Sequence, residues 1–324
     1  MLALCVVASL IVSSCFGLTS PLLARGLSPR TATWLISIVA ALTSAISALV
    51  VAILAFTFLA QLPLLATIGE WSTSTFDKDN PTPVVLGLTA CLVTASIVVR
   101  AGTAVAEIGG DLWQAALACW RAFPADDHLT VREDTHPDAY ALPGLWGGRP
   151  GALGGRIVVT TAMLAALDEA ERKVLIAHEA SHLQHRHHLY VALAELAGAV
   201  HPSMRAVPRV VREAAERWAD EDAAKATGDR RLTARAVARA GLESARVPLA
   251  PRAAGATRES LVLAISGSQV TRRAQSLLRP ALRNRPIPLI VAAVVLGLSM
   301  SAAVVVTHTT AQRFEAAHTA YESV

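Results

Sequence analysis

Apolar and charged residues occupy different parts of this 324-residue chain. Charged residues are sparse before residue 100, dense from about 100 to 285, and absent from Ile287 to Thr307. A helix needs about 20 mainly apolar residues to cross the hydrocarbon core of a bilayer. Four such stretches are present, at about 1–20, 32–66, 84–102 and 286–308. The pattern predicts a mainly α-helical membrane protein with four transmembrane helices. A polar region, 104–285, lies between the third and fourth of them, and a short tail, 309–324, follows the last.

The composition fits a membrane protein and argues against several other classes. Mean hydropathy is +0.45, and 53% of the residues are hydrophobic although only 5% are aromatic. The four cysteines show neither metal-ligand spacing nor a disulfide framework. The first stretch has no basic start and no clear cleavage site, which favours a transmembrane helix over a secretory signal peptide. The net charge of +4 comes almost wholly from Arg. It has no accompanying stripe of aromatic residues, so no direct nucleic-acid binding is expected.

Basic residues flank the predicted spans asymmetrically. Arg25 and Arg30 lie in the first loop, whereas the second loop, 69–83, is mostly acidic. Arg100 follows the third span, and five arginines between 272 and 285 precede the fourth. Cytoplasmic loops carry an excess of Lys and Arg. We therefore expect a multi-pass plasma-membrane protein with region 104–285 in the cytoplasm and both termini outside. The Arg cluster is interpreted as a topology signal and an anchor for anionic lipid.

The polar region contains a zinc-protease motif, His178-Glu179-x-x-His182. Residues four apart share one face of a helix, so both imidazoles can bind one ion. Asp168 and Glu171 have the spacing of a capping box, which predicts where this helix begins. In such motifs two histidines hold a catalytic zinc, and the neighbouring carboxylate removes a proton from water. The sequence therefore predicts one catalytic Zn²⁺, with His178 and His182 as ligands and Glu179 as the general base.

A third ligand is expected from the acidic helix that follows. Glu216 and Asp220 lie four apart on one face, which favours Glu216 on the zinc and Asp220 hydrogen-bonded to the outer nitrogen of a ligand histidine. Glu213 shares that face and is the alternative ligand. Charge runs usually face water, so a solvated acidic face is the rival interpretation of these carboxylates. His185, His187 and His188, just beyond the motif, are interpreted as surface or interfacial residues.

The best strand in the sequence lies directly upstream of the motif helix. Its residues 156–160 are β-branched in the middle and preceded by Gly154-Gly155. A substrate peptide can add to the edge of a strand through main-chain hydrogen bonds. Ile157, Val158 and Val159 are therefore expected to form a substrate-binding edge.

His178-Glu179-x-x-His182 followed by Glu216-x-x-Ala219-Asp220 resembles the integral-membrane gluzincins. The chain looks closest to the BlaR/MecR-type peptidases and next closest to the HtpX-like and CAAX-prenyl-protease group. The resemblance extends over 139–144, 155–160 and the Arg-rich approach to the fourth span. It implies an α+β zincin-like (gluzincin) protease domain between spans 3 and 4. It also implies the same zinc ligands, base and orienting Asp220. The antibiotic sensors of this family carry an external penicillin-binding domain after the fourth span, which these 324 residues do not contain.

The function expected from these features is zinc-dependent hydrolysis of peptide bonds in a cytoplasmic or membrane protein. By resemblance the protein partner is a transcriptional repressor cleaved during signal transduction, with the lipid bilayer as the other partner. Two alternatives are a quality-control protease for membrane proteins and a non-catalytic zinc-binding membrane signalling protein. The intact Glu179 argues against the non-catalytic alternative, because a structural zinc site needs no base.

Overall fold

The computed structural model describes residues 2–73, 83–121, 129–144, 155–246 and 266–323. Helices dominate these residues, and three short strands precede the motif helix. The first helices are α1 (Leu2–Ala24), α2 (Pro29–Leu59), α3 (Pro63–Gly69) and α4 (Val84–Arg121). The strands are β1 (Leu129–Arg132), β2 (Ala139–Leu142) and β3 (Arg156–Thr160). The later helices are α5 (Thr161–Ala166), α6 (Glu169–Gln184), α7 (His187–Val200), α8 (Val207–Thr227), α9 (Arg230–Arg246), α10 (Ser266–Leu277) and α11 (Pro286–Glu322).

Four helices of the described chain are long and apolar enough to cross a membrane, namely α1, α2, α4 and α11. These helices are 22, 31, 36 and 37 residues long over the ranges that contain their apolar segments, and each exceeds the length that the bilayer core requires. They indicate a multi-pass membrane protein, as the distribution of apolar residues predicts. Residues 74–82, which carry much of the acidic second loop, lie outside the described residues. The expected orientation, with a cytoplasmic polar region and external termini, stays a prediction.

The observed helix ends differ from the predicted spans in three places. Helix α2 ends at Leu59, and Pro63 begins the separate helix α3, because proline fits the first turn of a helix and not its interior. Helix α4 has 38 residues and joins the predicted span 84–102 to the helical segment after it. At 1.5 Å per residue it is roughly 57 Å long, about twice the bilayer core. Helix α11 likewise continues through most of the predicted tail, 309–324.

Small hydroxyl residues join α1 to α2. The hydroxyl of Ser47 lies 2.7 Å from that of Ser13 and 3.1 Å from that of Ser9, and all three side chains are buried. Small residues let helix backbones approach closely in an apolar environment, and hydroxyl pairs add directional hydrogen bonds there. This pairing fixes the relative rotation of the first two helices.

The turn between α7 and α8 inserts among these long helices. The carbonyl of Ala197 accepts a hydrogen bond from Ser44 of α2 at 3.4 Å, and that of Gly198 accepts one from Arg100 of α4 at 3.4 Å. Gly17 of α1 faces the same turn, and a Cβ there would lie 2.5 Å from the carbonyl oxygen of Ser203. The polar region is therefore packed into the helical bundle through α7 and α8. The sequence pattern predicts a separate domain for this region.

The three strands form one sheet in the order β1–β3–β2. Strand β3 pairs in parallel with β1 and antiparallel with β2, and all five of its residues are buried. Ile157, Val158 and Val159 therefore lie on the central strand, and the expectation that they form a substrate-binding edge is wrong. The reason is long-range: β1 and β2 have only four residues each and lie up to 28 residues earlier in the chain, yet they pair with both edges of β3. The sheet edge beside α6 belongs to β2.

Candidate metal centre

Helix α6 is held at its N-terminus by the predicted capping box. The Asp168 carboxylate accepts a hydrogen bond from the Glu171 amide at 2.8 Å, and the Glu171 carboxylate accepts one from the Asp168 amide at 3.1 Å. Glu171 is fully buried and also pairs with Arg235 and Arg239 of α9, at 3.0 and 2.9 Å. These contacts fix where α6 begins and how it is rotated. They thereby place His178 on the face of α6 that packs toward α8.

Helix α8 supplies the carboxylates from a strongly amphipathic segment. Its buried face is formed by alanines together with Val207, Val211 and Trp218, and it packs against α2 and α6. Asp220 is 1% exposed, whereas the Glu216 side chain keeps 38% of its surface exposed. The face of α8 toward α6 is therefore where the predicted ligand and the predicted orienting residue meet the two histidines.

Three potential ligand atoms converge between the two helices. The Nε2 atoms of His178 and His182 lie 3.2 Å apart. The Glu216 carboxylate lies 3.5 Å from Nε2 of His178 and 3.4 Å from Nε2 of His182. Ligand atoms at about 2.05 Å from one zinc ion, at tetrahedral angles, would be separated by roughly 3.3 Å. Separations of this size bring the two imidazoles and the Glu216 carboxylate within reach of one zinc ion, with Oε2 of Glu216 nearer His178 and Oε1 nearer His182.

Asp220 and Glu213 have different surroundings, which bears on the choice of third ligand. Oδ1 of Asp220 lies 3.1 Å from Nδ1 of His178, the outer nitrogen of that ring. Glu213 instead pairs with Arg209 at 3.0 Å and contacts Arg272 at 4.0 Å. Of the two candidate carboxylates, the structure therefore brings Glu216 to the histidines and holds Glu213 among arginines.

Arg273 of α10 completes the cluster, although it belongs to the basic segment interpreted above as a lipid anchor. Its guanidinium pairs with Glu216 at 2.8 Å and with both Asp220 oxygens at 2.7 and 2.9 Å. One of its nitrogens lies 3.5 Å from Nε2 of His178. The lipid-anchor interpretation is wrong for this residue, because α10 folds back onto α8 and buries most of its side chain.

The histidines after the motif are also more closely involved than the sequence suggests. His187 is 2% exposed, and its Nδ1 lies 3.0 Å from Nδ1 of His182. His185 pairs with Asp222 at 3.0 Å. Both rings pack on Trp218, at centroid distances of 4.4 Å for His185 and 4.7 Å for His187. The expectation that these residues lie at the surface is wrong for His187, which contacts a predicted zinc ligand.

The groups of the cluster are held in different charge states, and His178 must lose a proton before it can bind a metal. Burial disfavours a charge on His178, but Asp220 and Glu216 outweigh it and raise the pKa of His178 to about 10. Burial likewise opposes ionisation of Glu216, yet Arg273 and the histidines hold the pKa of that carboxyl well below its usual range. Burial lowers the pKa of His182 to about 4, which keeps its imidazole neutral. Neutral imidazole and ionised carboxylate are the forms that bind zinc.

Glu179 lies beside the cluster and is held differently from the other carboxylates. It is 8% exposed, and no group of the described chain forms a hydrogen bond with its carboxylate. Burial raises the pKa of Glu179 to about 7. A carboxylate with a pKa near neutrality, next to a metal-binding set, has the properties of a general base.

Residues 114–222 match the family model of peptidase family M48. The match supports a membrane zinc metallopeptidase of M48 type, and peptidases of this family are typically zinc-dependent. The matched segment includes His178, Glu179, His182, Glu216 and Asp220. No curated protein and no solved structure matches the chain. The finer resemblances, to BlaR/MecR-type and to HtpX-like peptidases, stay predictions.

Proposed function

We propose that this chain is a zinc-dependent endopeptidase embedded in a membrane. The observation that carries the proposal is the geometry of three side chains: Nε2 of His178 and Nε2 of His182 lie 3.2 Å apart, and the two oxygens of the Glu216 carboxylate lie 3.5 Å from the first and 3.4 Å from the second. A buried carboxylate without a hydrogen-bond partner in the described chain, Glu179, lies next to them. A structural zinc site needs four ligands and no base, so this combination favours hydrolysis.

The residues of the site would share the reaction as follows. Zinc held by His178, His182 and Glu216 would polarise the scissile carbonyl and lower the pKa of the attacking water. Glu179 would take the proton from that water and deliver it to the nitrogen of the leaving amine. Asp220, at 3.1 Å from the outer nitrogen of His178, would keep that ring oriented.

Two features support a substrate that is cleaved close to the membrane. Trp218, two residues from the proposed ligand Glu216, lies under the guanidinium of Arg30 at 5.6 Å, and Arg30 is at the start of α2. Among the described strands, β2 is the outer strand beside α6, and a substrate segment would add to it as a further strand. Both features support a substrate path next to the bundle.

The order of helices supports repressor cleavage in signal transduction as the role of the enzyme. Three long apolar helices precede the metal cluster and one follows it, as in the BlaR/MecR-type peptidases that the chain resembles. Quality control of membrane proteins is the second candidate, and it is favoured by the packing of α7 and α8 into the bundle.

The proposal is tested with purified protein in detergent and an unfolded protein such as casein. Wild type is expected to contain one zinc per chain and to cleave the substrate, to lose activity with a chelator and to regain it with zinc. Glu179→Gln should retain zinc and lose cleavage. Glu169→Gln on the same helix, where Glu169 is exposed and pairs only with Lys173 in the described chain, is the matched control. Zinc-free wild type, or equal cleavage by Glu179→Gln, would contradict the proposal.

A further inference from the structure

His187 reaches the metal cluster because the chain reverses sharply after α6. The helix ends at Gln184, and Arg186 adopts a left-handed conformation with φ 51° and ψ 46° before α7 begins at His187. Residues with a Cβ rarely adopt this conformation. The reversal brings the first residue of α7 back against the last turn of α6. The backbone therefore holds an unfavourable conformation at Arg186 that places His187 beside His182.

The contact between the two rings has a defined hydrogen-bonding direction. If Nε2 of His182 binds a metal, its proton must be on Nδ1, because a neutral imidazole carries only one. That Nδ1 lies 3.0 Å from Nδ1 of His187. The His182 Nδ1–H would then donate to the lone pair on Nδ1 of His187, whose own proton would be on Nε2. No group of the described chain pairs with this buried Nε2.

We propose that His187 is a positioning residue that accepts a hydrogen bond from His182 and so presents the Nε2 lone pair of His182 to the zinc. This inference rests on the proposed zinc site. Each ligand histidine would then have its own acceptor: Asp220 for His178, at 3.1 Å, and His187 for His182, at 3.0 Å. Groups in this position fix the tautomer and ring orientation of a ligand, and their loss typically weakens metal binding about 10- to 100-fold.

A packing role is the competing explanation, and it makes a different prediction. The His187 ring lies 4.7 Å from Trp218 and 4.8 Å from His182, centroid to centroid, in a buried position. If the His187 ring only fills space, His187→Phe should retain zinc affinity, because a phenyl ring has a similar shape. His187→Asn should then lose zinc affinity, because its amide is smaller. If the Nδ1 lone pair is what matters, His187→Asn should bind zinc more tightly than His187→Phe. An asparagine carbonyl can take the place of Nδ1 as acceptor, whereas a phenyl ring offers no acceptor.

The test compares His187→Phe and His187→Asn in the full-length protein. Zinc affinity is measured by competition with a chromophoric chelator, and the Co²⁺-substituted protein reports ligand geometry through its visible spectrum. The melting temperature of the zinc-free protein reports packing. His185→Phe is the matched control, since His185 packs on Trp218 at 4.4 Å and pairs with Asp222.

We expect His187→Phe to bind zinc about 10- to 100-fold more weakly and to show an altered Co²⁺ spectrum. His187→Asn should stay within a few-fold of wild type in affinity even if it melts at a lower temperature, and His185→Phe should keep wild-type affinity. Wild-type affinity in His187→Phe, or affinities that follow the melting temperatures of the variants, would overturn the inference. Wild type that binds no zinc would instead overturn the proposed function.

Discussion

Removal of the Glu216 carboxylate is the perturbation whose effect on zinc binding follows most directly from the geometry. Its oxygens lie 3.4 and 3.5 Å from the two imidazole nitrogens, and the neighbouring Glu213 is turned toward Arg209 at 3.0 Å. Four-ligand zinc sites bind with roughly 10–16 kcal/mol, or about 2.5–4 kcal/mol per ligand. Glu216→Ala should therefore weaken zinc binding by roughly two to three orders of magnitude.

The assay is the zinc content of purified protein after dialysis against a buffered zinc concentration. Glu213→Ala is the matched control, because it removes a carboxylate one turn away on the same helix. We expect one zinc per chain in wild type and in Glu213→Ala, and substoichiometric zinc in Glu216→Ala. Full zinc content in Glu216→Ala together with zinc loss in Glu213→Ala would refute the assignment of the third ligand.

Three further predictions concern groups around the site and in the bundle. Arg273→Ala should destabilise the zinc-free protein by roughly 3–5 kcal/mol, because it leaves the buried Asp220 without its guanidinium partner. Bound zinc should reduce this loss, so equal losses of melting temperature with and without zinc would contradict the role of Arg273. Glu171→Ala removes a capping box and two ion pairs from a fully buried carboxylate, and should cost about 2–4 kcal/mol in chemical denaturation. An unchanged denaturation midpoint in Glu171→Ala would contradict these contacts of Glu171. Gly17→Ala should lower the melting temperature in detergent, since its Cβ would lie 2.5 Å from a carbonyl oxygen, whereas Gly102→Ala, with open space around it, should not.

The features that sequence predicts well are those encoded by residues close together in the chain. The long apolar helices and the capping box at Asp168 and Glu171 depend on neighbouring residues, and the structure contains both. The grouping of His178, His182 and Glu216 can also be predicted from the sequence, because helical spacing aligns the two histidines and a known motif supplies the carboxylate. The catalytic roles of these residues stay predictions.

The features that sequence does not predict depend on contacts between distant segments. Strand β3 is central only because β1 and β2, up to 28 residues earlier in the chain, pair with both of its edges. Arg273 reaches Asp220 across 53 residues of sequence, and one arginine in a basic cluster carries no signal that it will be buried. The position of His187 depends on the left-handed backbone conformation of Arg186. Arginine is not a residue type that indicates this conformation in a sequence. In each case the local sequence is compatible with an exposed position, and only tertiary packing determines that the residue is buried.

The most direct test of the account compares new protein N-termini in cells that carry either wild type or Glu179→Gln at equal abundance. The account predicts fragments that appear only with wild type, while the Glu179→Gln protein still binds zinc. Fragments of a single repressor would support the signalling role, and fragments of many membrane proteins would support quality control. The same set of N-termini in both strains, with zinc bound to both proteins, would contradict the claim that the chain is a peptidase.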